Sequence, residues 1–423
     1  MNQEFTNLSQ DYSGKCIRCG ACMSVCPVYE VSLEETDVAR GKMALIEWGQ
    51  THPEFHSSDR FNTSISRCLL CGACAHSCPN KVETKSCIQK VRQICSNNPK
   101  ETIMLSSLKM ISDNSSLGQF FRKSASCFQQ VMGKKLPESS GMHLRFPLTS
   151  ITKRHFLPEI AANSFAKTYQ QKESTSSPKI VYFTGCGANY LFIDTAKSFI
   201  QLLEKQNIFP FVPKEQVCCG LAFSASGDQA SAKALAKKNI DCLDEISPDI
   251  VLTTCASCGS QIHQWPELLK DEPDYYPRAQ RIAKHQKDAL TFLMENKDFL
   301  SGINLNNINE TIWYHHPCHL RFGKTQTLLP DSLFSRFQST NVLYSNDRCC
   351  GNGGKFQISH FDLSMRIFDQ RMDMFTKNDI SHVLTPCTGC QLQFAEGMLR
   401  HGLNINVEHP LSWFNKHLKT ESI

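Results

Sequence analysis

The sequence contains no run of about 18 apolar residues, so it lacks a segment that could cross a membrane as a helix. Its first fifteen residues also lack the apolar core of a secretory signal peptide, which predicts a cytoplasmic protein, either free or peripheral on the inner face of the membrane. The 45 lysines and arginines barely outnumber the 40 aspartates and glutamates. This near balance argues against a nucleic-acid partner.

No Gly-x-Gly-x-x-Gly motif opens a strand–helix unit, so the sequence predicts no flavin site of its own. Cysteine, by contrast, is abundant. The chain has 22 cysteines in 423 residues, and nearly all of them fall into tight groups that contain CxxC or CC. This spacing favours metal ligation in a reducing compartment over a disulfide framework.

Residues 1–98 carry one cysteine pattern twice, C-x2-C-x2-C-x3-C-P, with largely helical segments between and after the copies. In two-cluster ferredoxins with this pattern, the fourth cysteine ligates the other cluster. We therefore predict two [4Fe-4S] cubanes, one on Cys16, Cys19, Cys22 and Cys78, the other on Cys68, Cys71, Cys74 and Cys26. Structural zinc sites usually separate two CxxC pairs by a longer loop, which makes zinc the weaker alternative. Arg18, Arg67 and His76 lie next to these ligands and either tune a cluster or belong to a solvated loop.

The rest of the chain divides into three parts. Residues 99–178 carry no motif and end in a polar, serine-rich stretch, which predicts a helical connector and linker. From residue 179 onward, strand patterns alternate with helix patterns, as in α/β folds. Cys186 and Cys318 are 132 positions apart, Cys218 and Cys349 are 131 apart, and Cys255 and Cys387 are again 132 apart. The predicted fold class is therefore α+β multidomain, with a helical two-cluster ferredoxin followed by two α/β repeats at 179–305 and 306–423.

Each repeat holds five cysteines at the ends of predicted strands or the starts of predicted helices, where ligand sites of open α/β sheets gather. The first set is Cys186, Cys218, Cys219, Cys255 and Cys258, and the second is Cys318, Cys349, Cys350, Cys387 and Cys390. Adjacent cysteines can serve one site only if the chain turns sharply, which Gly220 and Gly351 permit. Five thiolates exceed the needs of one cubane or one zinc ion, so either one thiol is spare or the cluster is unusual.

The two five-cysteine sets resemble the paired CCG domains of the heterodisulfide reductase B-type family. The resemblance implies a non-cubane [4Fe-4S] cluster in each repeat, with one cysteine bridging irons. The order of a two-cluster ferredoxin and two CCG domains is similar to that of the iron–sulfur subunits of glycolate, D-lactate and anaerobic glycerol-3-phosphate dehydrogenases. The segments CIRCGACMSVCPVY, YHHPCHL and CCGNGGKFQISH look closer to the glycolate/lactate type.

This resemblance implies an electron-transfer subunit. An FAD-containing partner subunit would oxidise a 2-hydroxyacid, and this chain would pass the electrons toward a membrane quinone. Three alternatives stay open at this point: a heterodisulfide reductase-like catalytic subunit, an electron-transfer subunit for glycerol-3-phosphate dehydrogenase, and a zinc-stabilised interaction module.

Several cysteines and histidines fall outside the predicted ligand sets. Among the four remaining cysteines, Cys127 has no assigned role, and we expect Cys87, Cys95 and Cys242 to be small buried residues on helices. His315, His316 and His319 flank Cys318. We expect them to pack or to donate hydrogen bonds near a cluster, with proton carriage as the alternative.

The two cubane motifs and two complete five-cysteine sets predict about sixteen irons per chain in anaerobically prepared protein. Elemental analysis with acid-labile sulfide measures this directly. Iron near eight together with stoichiometric zinc would reassign the C-terminal repeats as structural zinc sites.

Overall fold

The computed structural model describes residues 8, 10–95, 118–120, 122–124, 126, 129, 133–135, 141–144, 156–172, 178–296, 308–323, 334–335, 340–344 and 348–418. Cys127 and most of the connector lie outside these residues. Within the described part of the chain, no helix is long and apolar enough to cross a membrane.

The N-terminal region is helical, as the sequence predicts. Its helices are Pro27–Ser32, Ala39–Thr51, Asp59–Ser66, Ala73–His76 and Thr84–Cys95. Pro27 begins the first of them, where a missing N–H costs nothing, and the Ser58 hydroxyl accepts a hydrogen bond from the N–H of Phe61 to cap the third. Met43, Ile46, Phe61, Ile88 and Val91 form the core of this region, and Cys87 packs among them fully buried.

Three short antiparallel strands belong to the connector: β1 (Gly133–Lys135), β2 (Gly141–Leu144) and β3 (Phe156–Pro158). The short helix Phe165–Thr168 follows them. The sequence predicts a helical connector and linker here and misses the three strands, because strands of three or four residues leave too short a periodicity to detect.

The first C-terminal repeat is built on a parallel sheet in the order β4 (Ile180–Tyr182), β5 (Ile250–Thr253) and β6 (Gln286–Asp288). Phe211 adds a single parallel bridge to Val181 on the other side of β4. A π-helical turn, Gly187–Leu191, follows Cys186. The helices of this repeat are Ile193–Glu204, Leu221–Ser226, Gln229–Asp244, Ala256–Ile262, Trp265–Leu268, Tyr276–His285 and Ala289–Glu295.

The second repeat has the same topology. Its sheet runs β8 (Asn341–Tyr344), β7 (Thr311–Tyr314), β9 (His382–Leu384) and β10 (Asn406–Glu408), all parallel. Its helices are Cys318–Arg321, Lys355–Ser359, Phe361–Asp369, Met372–Lys377, Thr388–Arg400 and Pro410–His417. The duplicated α/β architecture, and with it the predicted α+β fold class, is thus confirmed.

The amphipathic pattern of FDLSMRIFDQRMDMF predicts one helix over residues 361–375, but the structure divides it in two at Gln370 and Arg371. The Arg371 side chain is buried and donates hydrogen bonds to the carbonyl oxygens of Ile367 and Cys349. The break therefore brings a guanidinium group to the backbone of a predicted cluster ligand.

A buried arginine joins the N-terminal region to the first repeat. Arg92 donates hydrogen bonds to the carbonyl oxygens of Ile65 (3.0 Å), Ser66 (3.1 Å) and Cys68 (2.7 Å) in its own region, and to that of Ala225 (2.7 Å) in the first repeat. Next to it, Gln89 donates to the Ser224 hydroxyl at 3.2 Å. A charged side chain shared by four carbonyls fixes the Cys68 loop and the domain junction together.

We predict that Arg92→Gln lowers the free energy of unfolding by about 2–4 kcal/mol, because buried carbonyls lose charge-assisted hydrogen bonds. Urea unfolding of the holoprotein, followed by circular dichroism, measures the change. Arg60→Gln is the control, since Arg60 is exposed on the neighbouring helix Asp59–Ser66. Equal midpoints for the two variants would contradict the role given to Arg92.

Candidate iron–sulfur centres

Four cysteines at the exposed end of the N-terminal region line one cavity. They are Cys16, Cys19, Cys22 and Cys78. Cys74 also reaches this cavity from the second motif. Cys19 is exposed and the other three predicted ligands are half-buried. We call these four cysteines the first ferredoxin set.

A second cavity is lined by Cys68, Cys71 and Cys74 together with Cys26, which belongs to the first motif in the sequence. We call these four the second ferredoxin set. Burial raises the pKa of the Cys26 thiol and raises that of Cys74 to about 12, and in both cases the nearby Cys68 adds to the shift. The fourth cysteine of the first motif therefore lies beside the three leading cysteines of the second.

A buried ionic group borders the second ferredoxin set. The Lys42 ammonium group is almost fully buried, donates hydrogen bonds to the carbonyls of Thr36 (2.9 Å) and Ser64 (2.6 Å), and lies 3.9 Å from the Asp37 carboxylate. Arg67 contacts the other oxygen of Asp37 at 3.3 Å. Burial lowers the pKa of Lys42, while nearby Cys68 and Asp37 oppose that shift. Negative charge on the neighbouring sulfurs would hence stabilise the protonated amine.

The three charged or titratable neighbours singled out in the sequence have different environments. Arg67 lines the cavity of the second ferredoxin set and pairs with buried Asp37. Arg18 forms an exposed ion pair with Glu47 at 2.6 Å, and the ring of His76 packs against Phe322 at 5.2 Å between centroids. The sequence did not identify Lys42 or Arg92 as residues near a predicted cluster. For Lys42 a signal was available, because a lysine stands within the apolar stretch of the helix Ala39–Thr51.

The parallel sheets bring the C-terminal cysteines together. Cys186 and Cys255 follow the carboxyl ends of β4 and β5, and Cys318 and Cys387 follow those of β7 and β9. The paired cysteines arrive on a loop that turns at Gly220 (φ +93°) and Gly351 (φ +96°). Both glycines occupy the left-handed region that other residues rarely adopt, so the sharp turn predicted after each CC pair is present.

Within each repeat the five thiols form a run of neighbouring sulfurs. In the first repeat, Cys186 lies 4.0 Å from Cys218, and Cys219 interacts with both Cys218 and Cys258. Cys258 in turn interacts with Cys255. The second repeat has the equivalent run, whose members in order are Cys318, Cys349, Cys350, Cys390 and Cys387. We call these the first and second CCG sets.

The CCG sets also contact each other and the ferredoxin region. The thiols of Cys255 and Cys387 interact across the two repeats, and the Ser257 hydroxyl lies 3.2 Å from the Cys387 sulfur at the same junction. The Cys71 thiol of the second ferredoxin set interacts with that of Cys349. The spatial order is therefore ferredoxin region, second CCG set, first CCG set, which differs from the order in the sequence.

Buried histidines line the CCG sets. A ring nitrogen of His315 and the sulfurs of Cys350 and Cys390 lie within 4.8 Å of one another, and the histidine is fully buried. Burial, with Arg371 and Arg321 nearby, holds the pKa of His315 well below its usual range. His319 shares a 3.0 Å hydrogen bond with the Ser257 hydroxyl at the junction of the two repeats. His316 lines a separate cavity between the second repeat and the ferredoxin region.

The donor chemistry fits iron–sulfur clusters. Hydrogen bonds with neighbouring thiols lower the pKa of Cys255 and Cys349, whereas hydrogen bonds with other thiols of the sets raise the pKa of Cys258 and Cys390. Full deprotonation of such buried groups requires a cationic centre, and the thiols of the four sets are soft sulfurs of the kind that iron–sulfur clusters use.

Three further described cysteines belong to none of these sets. Cys87 is buried, as predicted, whereas Cys95 and Cys242 are only half-buried. Burial raises the pKa of Cys87 to about 12 and that of Cys95 and Cys242 to about 11. Among the described cysteines, these three therefore behave as packed thiols.

Comparisons with known proteins agree with the domain order. The sequence profile of the 4Fe-4S dicluster domain matches residues 12–82, and that of the cysteine-rich CCG domain matches twice, at 180–263 and 312–395. The chain is 28% identical to a probable glycolate oxidase iron-sulfur subunit of Bacillus subtilis, over 92% of this chain and 90% of that protein.

Two further relatives have related names. The glycolate oxidase iron-sulfur subunit of Escherichia coli is 24% identical over 92% of each chain. Lactate utilization protein A of Bacillus cytotoxicus is 25% identical over 55% of this chain and 96% of that protein. With its dicluster domain and its duplicated cysteine-rich domain, this chain belongs to the iron–sulfur protein family that includes the glycolate oxidase iron–sulfur subunits.

Proposed function

We propose that this chain carries electrons from an FAD-containing hydroxyacid dehydrogenase subunit to a quinone. The observation that carries the proposal is the unbroken series of thiol contacts from the second ferredoxin set through Cys71 and Cys349 to the second CCG set, and through Cys387 and Cys255 to the first. Similarity to glycolate oxidase iron–sulfur subunits and to a lactate utilization protein supports a 2-hydroxyacid as the electron source.

The ligand assignment is part of this proposal. The two ferredoxin sets would each hold a cubane [4Fe-4S] cluster with crossed ligation, and the two CCG sets would each hold a non-cubane [4Fe-4S] cluster. The presence of Cys26 in the cavity of Cys68, Cys71 and Cys74 supports the crossing. We also infer that the domains divide at residues 98, 178 and 305.

Bound clusters would supply one-electron redox chemistry. The chain's own residues set the conditions for it. Nine of the ten cysteines in the CCG sets are buried, which keeps water away from their sulfurs. Lys42 and Arg67 border the second ferredoxin set, and Arg371 donates a hydrogen bond to the Cys349 carbonyl. Positive charge and hydrogen bonds close to ligand sulfurs favour the more negative, reduced state and so raise the reduction potential.

We predict that Cys22→Ser and Cys26→Ser damage different cubanes, because Cys22 lines the cavity of the first ferredoxin set and Cys26 that of the second. Electron paramagnetic resonance of the reduced protein distinguishes the two signals. Cys242→Ser serves as the control, since this half-buried thiol lies outside every set. Loss of the same signal in both ligand variants would show that ligation is not crossed.

A second prediction separates an electron carrier from a catalyst. Wild-type chain plus the flavoprotein should reduce a quinone analogue with glycolate or lactate as donor, whereas the double variant Cys71→Ser, Cys349→Ser should do so at least tenfold more slowly. Dye reduction by the flavoprotein should not change, because hydroxyacid oxidation needs neither thiol. The matched control is Cys95→Ser, Cys242→Ser, which removes two thiols outside the sets.

Two results would contradict this function. One is rapid quinone reduction by the flavoprotein alone. The other is turnover of a disulfide by the isolated chain with a chemical reductant, which would make the facing CCG sets at Cys255 and Cys387 a catalytic site instead.

A further inference from the structure

A cavity of about 520 Å³ lies between the ferredoxin region and the second repeat. Its size falls within the range of small-molecule sites. Among the residues that line it are Glu30, His76, His316, Arg321, Phe322 and Arg348. None of these residues belongs to a thiol set.

The walls of the cavity adjoin two different sets. Val25 and Pro27 flank Cys26, and Ala73 precedes Cys74, both in the second ferredoxin set. On the other side, Arg348 precedes Cys349 of the second CCG set. A molecule in this cavity would therefore touch residues that are sequence neighbours of ligands in both sets.

The lining combines an apolar surface with cationic and hydroxyl groups. The Phe322 ring packs against the ring of His76 at 5.2 Å, and the Arg321 guanidinium lies over the Phe322 ring at 4.9 Å. Arg348 forms an ion pair with Glu30, so that Glu30 offsets one of the two positive charges. Aromatic and aliphatic groups bind a flat apolar ring, while arginine and hydroxyl groups bind its oxygens.

We propose that this cavity binds the headgroup of the quinone that accepts the electrons. The inference rests on the proposed function and adds a location to it. Reduction of a quinone to its hydroquinone consumes two electrons, which the hydroxyacid supplies through the flavin partner, and two protons, which water supplies at the mouth of the cavity. The negative charge that develops on the quinone oxygens is stabilised by the preorganised guanidinium groups of Arg321 and Arg348.

The test is anaerobic binding of menadione to the oxidised holoprotein, measured by isothermal titration calorimetry. Arg321→Gln should raise the dissociation constant at least tenfold, because one cation is lost. Glu30→Gln should lower it about threefold, because Arg348 is no longer neutralised. Arg400→Gln should leave it unchanged; Arg400 also lies over a ring, that of Phe361 at 5.6 Å, but outside the cavity. Unchanged iron content and resonance signals in each variant show that the clusters are intact.

Equal menadione affinities in the wild type and all three variants would overturn the location, as would weaker binding in Glu30→Gln to the same extent as in Arg321→Gln. If the wild-type chain and its flavoprotein then still reduce quinone rapidly, the proposed function stands and only this site is wrong. If the reduced wild-type chain reacts with ferricyanide but neither binds nor reduces menadione, the quinone acceptor of the proposed function falls together with the site.

Discussion

The interaction between Cys71 and Cys349 ties the ferredoxin region to the second repeat, and the interaction between Cys255 and Cys387 ties the two repeats to each other. Both contacts require segments far apart in the sequence to present sulfur at a common point. The parallel sheets meet this requirement by delivering Cys255 and Cys387 at the carboxyl ends of β5 and β9. Arg92 holds the ferredoxin region against the first repeat, because the carbonyls that it binds belong both to the Cys68 loop and to that repeat.

The convergence of sulfurs from distant segments also explains why the interior contains many cysteines and several buried charges. Cysteines from both CCG sets pack in one core with Val28 and Leu69 of the ferredoxin region, so that the regions share a single apolar cluster. Charged groups are buried nearby: Lys42 and Asp37 beside the second ferredoxin set, and Arg371 beside Cys349. Burial of such charges is costly unless each is hydrogen-bonded or paired. Here they adjoin sulfurs that carry negative charge when they ligate iron, which gives the buried cations a partner.

Much of the architecture follows from the sequence. The constant offset between the cysteines of the two repeats predicts the duplication, and the alternation of strand and helix patterns predicts the parallel sheets that the structure contains. The four-cysteine and five-cysteine sets remain predictions until metal is measured. Sequence spacing could not predict that Cys349 lies nearest the ferredoxin region, because the two repeats carry the same motif and either could occupy that place. It also could not find β6, whose residues Gln286 to Asp288 are polar, or the turn at Arg371 inside an unbroken amphipathic pattern.

In the proposed electron path, the redox centres form a single series whose order differs from that in the sequence. Anomalous diffraction at the iron absorption edge, from crystals grown anaerobically, tests it most directly because it locates iron independently of protein phases. We expect four iron groups that follow one another as first ferredoxin set, second ferredoxin set, second CCG set and first CCG set. Iron confined to the ferredoxin sets, or a first CCG set that lies nearer the ferredoxin region than the second does, would contradict it.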